Sequence, residues 1–180
     1  MDSAQAVTRT IEALEACDIE YMVVGAFSSN IYGVPRSTRD ADIVVRPGDK
    51  TLAGVIQLLG DDYTFDRQLR LEGFTGSLRN DLLHIPTGFR FELFRLGKDK
   101  HHQVRFDRRL QMNLPTLGVT AWVPTAEDVV IQKLRWARPK DREDVSDVLL
   151  IQGDRLDFEY VRHWTDLHGT TELLEELRPS

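Results

Sequence analysis

Apolar residues recur along the chain with two periods, and their alternation predicts an α/β protein. Ala6, Val7, Ile11, Leu14 and Cys17 repeat at helical spacing across residues 4–17. Tyr21-Met22-Val23-Val24 is a short apolar run ending at Gly25, the pattern of a buried strand. A short helix is predicted from Ala26 to Tyr32, closed by Gly33 and stopped by Pro35. A second strand opens at Asp40, runs through Ile43-Val44-Val45 and ends at Pro47-Gly48. Leu52, Val55, Ile56 and Leu59 share one helical face. Residues 63–65, 81–85 and 89–96 read as strands, the last two joined at Pro86-Thr87-Gly88. Residues 97–117 are polar and yield no assignment, and 119–123 reads as the last strand. Thr125 as N-cap, with Glu127 and Asp128 in the first turn, predicts a helix to about Ala137 that breaks at Pro139. Further helices are expected over 142–150 and 158–167. The order predicts one mixed sheet flanked by helices, an α/β (α+β) fold, with a core over residues 1–123 and a helical section over 124–180 packed on it.

The chain has 180 residues, 41% hydrophobic and 29% charged, which suits an ordinary globular protein with a sizeable core. No apolar run reaches the roughly 18 residues of a membrane span. Met1-Asp2-Ser3-Ala4-Gln5 lacks a basic segment followed by an apolar one, so no signal peptide and no membrane partner are expected. Cys17 is the only cysteine, which excludes an internal disulfide; these features together predict a cytoplasmic location. The net charge of −6 argues against a general nucleic-acid coat. Charge is unevenly spread, however: residues 1–89 carry −5, residues 90–142 carry +6 and residues 143–180 carry −7. The basic middle suggests a patch for phosphates or RNA, against the alternative of Lys and Arg dispersed on a solvated surface.

The chemistry concentrates at Asp40-Ala41-Asp42. Side chains alternate across a strand, so Asp40 and Asp42 share one face while Ala41, Ile43 and Val45 share the other. Two carboxylates so close repel unless a cation lies between them, and an all-oxygen site suits magnesium or manganese. The alternative is a strand entry that is simply acidic. Upstream, a strand ends at Gly25, where backbone can approach a phosphate, and a helix N-terminus with free N–H groups follows. Ser28 could add a hydroxyl, and Arg36 and Thr38 lie within reach of phosphate or base. Neither the dinucleotide glycine fingerprint nor the P-loop is present. His101-His102 has no second ligand pair at metal spacing. Trp122, Trp136 and Trp164 read as packing residues.

With Gly25-Ala26 at a strand-to-helix turn and Arg36-Ser37-Thr38-Arg39-Asp40-Ala41-Asp42 after it, the chain resembles the nucleotidyltransferase superfamily of DNA polymerase beta type. It is most similar to the small prokaryotic members of toxin–antitoxin and abortive-infection systems. The resemblance extends to Val123-Pro124-Thr125-Ala126-Glu127-Asp128 with Lys133, and to Lys140-Asp141-Arg142-Glu143-Asp144. It implies the nucleotidyltransferase fold and transfer of a nucleoside monophosphate from a nucleoside triphosphate to a hydroxyl on RNA, protein or a small molecule, with pyrophosphate released. It implies Mg2+ or Mn2+ on Asp40, Asp42 and a third carboxylate. Glu92 is the candidate for the third, since Arg90 and Glu92 fall opposite Phe89, Phe91 and Leu93. It implies nucleotide contacts from Gly25, Ala26, Ser28, Arg36, Thr38 and Lys133, with Lys140 a further phosphate ligand. Two departures, Ala26 in the glycine turn and Glu92 where Asp is usual, keep a second expectation open: a catalytically impaired binding protein that acts as an antitoxin or regulator with a cognate partner. The structural alternative for Glu92 is a salt bridge to Arg90 or Arg95, and for Lys140 an ion pair with Asp144 along one helix.

Overall fold

A computed structural model of the chain describes residues 1–48, 51–73, 75–115 and 117–179. Helix α1 (Ser3–Ala16) begins at a capping box: Asp2 accepts from the Gln5 amide, and the Gln5 side chain accepts from the Asp2 amide. It leads into β1 (Glu20–Val24), α2 (Gly25–Tyr32) and β2 (Asp40–Arg46). Helix α3 (Ala53–Leu59) precedes β3 (Tyr63–Phe65), β4 (Arg70–Leu71), β5 (Leu78–His84) and β6 (Phe89–Arg95). Then come α4 (Lys100–Asp107), β7 (Leu110–Leu114), β8 (Val119–Val123) and α5 (Ala126–Trp136). The chain closes with α6 (Pro139–Gln152), α7 (Phe158–His168) and α8 (Thr171–Leu177).

Among the described residues six strands form one mixed sheet in the order β1-β2-β6-β5-β3, with β4 paired to β5. Only β2 and β6 run parallel; the other pairs are antiparallel. The pleat divides the sheet chemically. On one face Tyr21, Val23, Ala41, Ile43, Val45, Phe91 and Leu93 join α1 and α3 in the main core. On the other face Met22, Val24, Val44 and Phe94 pack with Phe106 of α4, in a smaller cluster that leaves one end of that face to polar residues. A separate core of Val130, Ile131, Leu134, Val145, Val148, Val161 and Trp164 joins α5, α6 and α7.

The structure departs from the sequence reading in several places, among them the short strand β4 and the start of β5 at Leu78. The stretch 97–117 holds α4 and β7, which polarity hid: His101, His102 and Arg105 are buried although they are polar. Strand β8 pairs with β7 as a two-stranded ribbon and does not join the sheet, so the single sheet expected is a sheet plus a ribbon. Pro139 opens α6 at its first turn, where a missing N–H costs nothing, and the helix therefore starts before residue 142. A last helix, α8, follows α7. Thr125 caps α5 as its position predicts, with its side chain accepting from the Asp128 amide.

Candidate functional site

Strand alternation and parallel pairing bring the acids together. Asp40 and Asp42 point from β2 to the same side of the sheet, and Glu92 is the register partner of Asp42 on β6. Across β1, the partner of Asp42 is Val24, the last residue before Gly25. The turn there is tight. Gly25 has φ +65°, and a side chain on it would collide with the Asp42 carboxylate, its Cβ lying 3.0 Å from the carboxyl carbon. Asp42 therefore sits against the N-terminus of α2, which no side chain caps. Burial pushes the Asp42 carboxyl up to about 7; the neighbouring charges of Glu92 and Asp40 push the same way, and Lys140 and Lys133 oppose them.

The acids lie in a cleft of about 340 Å3 that Trp136, Arg138 and Lys140 also line. Thr38 fixes Asp40: its hydroxyl donates to the Asp40 carboxylate at 2.9 Å and to the Asp40 carbonyl at 3.0 Å. Glu92 is paired with Arg79 of β5, which also approaches Asp81 at 3.5 Å. The partner expected for Glu92, Arg90 or Arg95, is thus corrected to Arg79. Arg79 faces the same side because it is two residues from Asp81, the register partner of Glu92. Among the described residues no three His, Cys, Asp or Glu side chains gather closely enough to cage a metal. Two exposed or half-buried aspartates with excess negative charge nevertheless fit magnesium or manganese, which are commonly held by one or two carboxylates together with substrate phosphates.

The remaining sequence candidates fall around this cleft in different ways. Ser28 is buried and its hydroxyl donates to the Gly25 carbonyl at 3.0 Å. Ala26 is the second residue of α2, and its carbonyl accepts from Ser29. Arg36 turns to Asp144, donating from Nε at 2.8 Å and Nη2 at 2.9 Å. Lys133 is 5% exposed and its Nζ donates to Asp144 at 2.6 Å and Asp141 at 3.3 Å. Arg138 holds Asp141 from the other side at 2.6 Å. Asp141 and Asp144 are not surface charges, and the Lys140–Asp144 pair is replaced by a chain in which these two buried acids and Lys133 meet the half-buried Arg36 and Arg138. Sequence reading missed Arg79 and Arg138 at the cleft. Alternation along β5 carried the signal for Arg79, whereas Arg138, beside a proline between helices, gave none. Trp136, expected in packing, lines the cleft with the Arg138 guanidinium 4.6 Å over its ring. His101 and His102 are buried; His101 bonds to Asp128 at 3.0 Å and is no metal pair with its neighbour.

A family model described as nucleotidyltransferase of unknown function (DUF6036) matches residues 4–178. No curated protein matches the chain. Among solved structures, an antigenic nucleotidyltransferase-like protein from Paracoccidioides brasiliensis gives a TM-score of 0.55 at 16% identity, over 96% of this chain and 91% of that one. The crystal structure of ANT(2'')-Ia in complex with adenylyl-2''-tobramycin gives 0.56 at 14% identity, over 94% and 98%. The solution structure of the antibiotic-resistance factor ANT(2'')-Ia gives 0.54 at 13% identity, over 96% and 94%. At such identities the likeness is one of fold, and the mixed sheet with flanking helices is the nucleotidyltransferase fold.

Proposed function

The chain belongs to the DUF6036 family of nucleotidyltransferases, and on that premise we propose that it moves a nucleoside monophosphate from a nucleoside triphosphate to an acceptor hydroxyl. The observation that carries this reading is Asp42 pressed against Gly25 at the start of α2, with Asp40 and Glu92 on the same face of the sheet. The uncapped N–H groups of α2 suit a phosphate, and Arg138 and Lys140 bring positive charge to the same cleft. Asp40, steadied by Thr38, and Asp42 would hold Mg2+ or Mn2+ beside the bound triphosphate. The bound ion supplies charge neutralisation and positioning.

Glu92 takes the proton of the acceptor hydroxyl, whose oxygen forms a bond to the α-phosphorus as the bond from that phosphorus to the pyrophosphate oxygen breaks. Pyrophosphate leaves. Arg79 must release Glu92 for this, and its guanidinium is then free to face a phosphate. Arg36 and Lys133 act at one remove: through Asp144 and Asp141 they fix α2 and α6 against each other.

Titration of manganese and a non-hydrolysable triphosphate analogue tests the reading. Wild-type protein binds the analogue in a metal-dependent manner, and Asp42→Asn weakens metal binding by about tenfold or more. Equal titrations for the two proteins would remove Asp42 from the site. The Arg79–Glu92 pair favours one second reading, a protein that binds the nucleotide without transferring it. Metal-dependent binding with no pyrophosphate released from any triphosphate, against RNA, protein and small-molecule acceptors, would favour that reading.

A further inference from the structure

The face of the sheet that bears the acids continues past Glu92 into a groove of about 420 Å3. Arg79 and Glu92 line both this groove and the acidic cleft, so the two are continuous and Glu92 stands at their junction. The strand order β1-β2-β6-β5-β3 puts Gly25, which follows β1, on one side of the acids. It puts the groove, lined from β6, β5 and β3, on the other. Displacement at phosphorus sets the attacking oxygen in line with the departing one, on the opposite side. With a triphosphate at the start of α2, the groove is the side from which an acceptor approaches. Its carboxylates already have cations: Arg70 meets Asp66 at 3.0 Å and Asp81 at 3.1 Å, and Arg79 is paired with Glu92. Arg90 is the exception. It is exposed, lines the groove, and makes no hydrogen bond or ion pair among the described residues. It shares the face of Glu92 two residues away, so their backbones stand about 7 Å apart. Its register partners are Asp40, which Thr38 holds, and Leu83.

We propose that this groove binds the acceptor, a small polyhydroxylated molecule with one anionic group, a phosphate or a carboxylate. Arg90 holds the anionic group while a hydroxyl of the same molecule reaches Glu92. The inference rests on the nucleotidyl-transfer reading above and adds the substrate class to it. A guanidinium presents its N–H groups as a fork that matches phosphate and carboxylate alike. Carboxylates have more acceptor positions than one guanidinium fills, so Asp66 and Asp81 can take further hydroxyls of the ligand. The separation of Arg90 from Glu92 suits one sugar ring with its substituent, and the volume suits a single small molecule. A cationic acceptor would have to displace Arg70 from two carboxylates. RNA would bring its further phosphates against Asp66 and Asp81.

Calorimetry tests this on protein loaded with manganese and a non-hydrolysable triphosphate analogue, titrated with glucose 6-phosphate, glucuronate, glucose, glucosamine and a short RNA. Glucose 6-phosphate or glucuronate, or both, binds about tenfold or more tighter than glucose and glucosamine. The comparison of the two anionic sugars separates a phosphate from a carboxylate. Arg90→Gln removes the charge from an exposed, unpartnered position, so it keeps the melting temperature and the affinity for the analogue while the preference for anionic sugars disappears. The inference is overturned if glucose or glucosamine binds as tightly as the anionic sugars, if no sugar binds, or if Arg90→Gln leaves the preference intact. Binding of the RNA without the anionic sugars overturns it in favour of a polymer acceptor. An Arg90→Gln protein that loses the analogue overturns it by assigning Arg90 to the triphosphate. Failure of the sugars on protein that has bound the analogue leaves the nucleotide reading standing, and failure of the analogue to bind the wild type removes both.

Discussion

At the scale of single residues the account turns on Asp42, whose carboxyl the fold pushes up to about 7 from an ordinary value of 3.8. Burial and the adjacent acids are the cause, and the sign of the consequence is the reverse of that for a salt-bridged acid. Between those two values the folded protein holds a proton that the unfolded chain has released. Stability therefore falls as pH rises through this window. Asp42→Asn removes the titration. Without divalent ions the variant is the more stable protein at pH 8 by at least about 1 kcal/mol, and the difference narrows toward pH 4. A divalent ion competes with the same proton, so the wild type gains more melting temperature from manganese at pH 8 than at pH 6. Equal gains at both, or a variant less stable at pH 8, would contradict this. The shared face of Asp40 and Asp42 was legible in the sequence, because alternation along a strand is enough to define it, whereas Glu92 came only from the family resemblance. The Arg79 pairing and the collision that forces glycine at Gly25 were not, since both depend on which strands lie side by side.

At the scale of elements, α5 and α6 are joined by charges that helical periodicity assigns to solvent. Lys133, Asp141 and Asp144 are 5%, 0% and 4% exposed. Burial alone would raise the Asp144 carboxyl, but Arg36 and Lys133 hold it below its ordinary value. Removing one member of such a set leaves its partners buried with too little opposite charge. Lys133→Met is therefore expected to lose about 3 kcal/mol in urea unfolding, although it puts an apolar side chain of similar size in a buried position. A loss below about 0.5 kcal/mol would place these charges in the class of surface pairs. Elements with an apolar stripe, such as α1 and α5, were legible in outline. Helix α4 was not, because its buried face carries His101, His102 and Arg105, and no pattern distinguishes these from solvated residues. Strand β7 was hidden for a similar reason: four of its five residues are exposed or half-buried.

At the scale of the whole molecule, one face of the sheet packs into the main core and the other holds the acids. The first is covered by α1 and α3; the second carries the acids at one end and the Phe94 cluster at the other. The charge reading changes at this scale as well. The +6 of residues 90–142 does not form one basic face, because Arg108, Arg109, Lys133, Arg135 and Arg138 are paired with Asp128, Glu20, Asp141, Asp144 and Asp99, and Arg105 is buried. Charge excess along a sequence says little about a surface once long-range pairs form, so the segment no longer argues for an RNA acceptor. What remains at the surface is a cleft of a size to hold part of a nucleotide, lined by acids and by cations. The most direct measurement is a crystal structure with manganese and a non-hydrolysable triphosphate analogue, read through the anomalous signal of the metal. The account predicts a manganese peak beside Asp40 and Asp42, with the triphosphate at the start of α2. Manganese bound elsewhere, or a triphosphate away from Gly25 with Asp42 unligated, would contradict it.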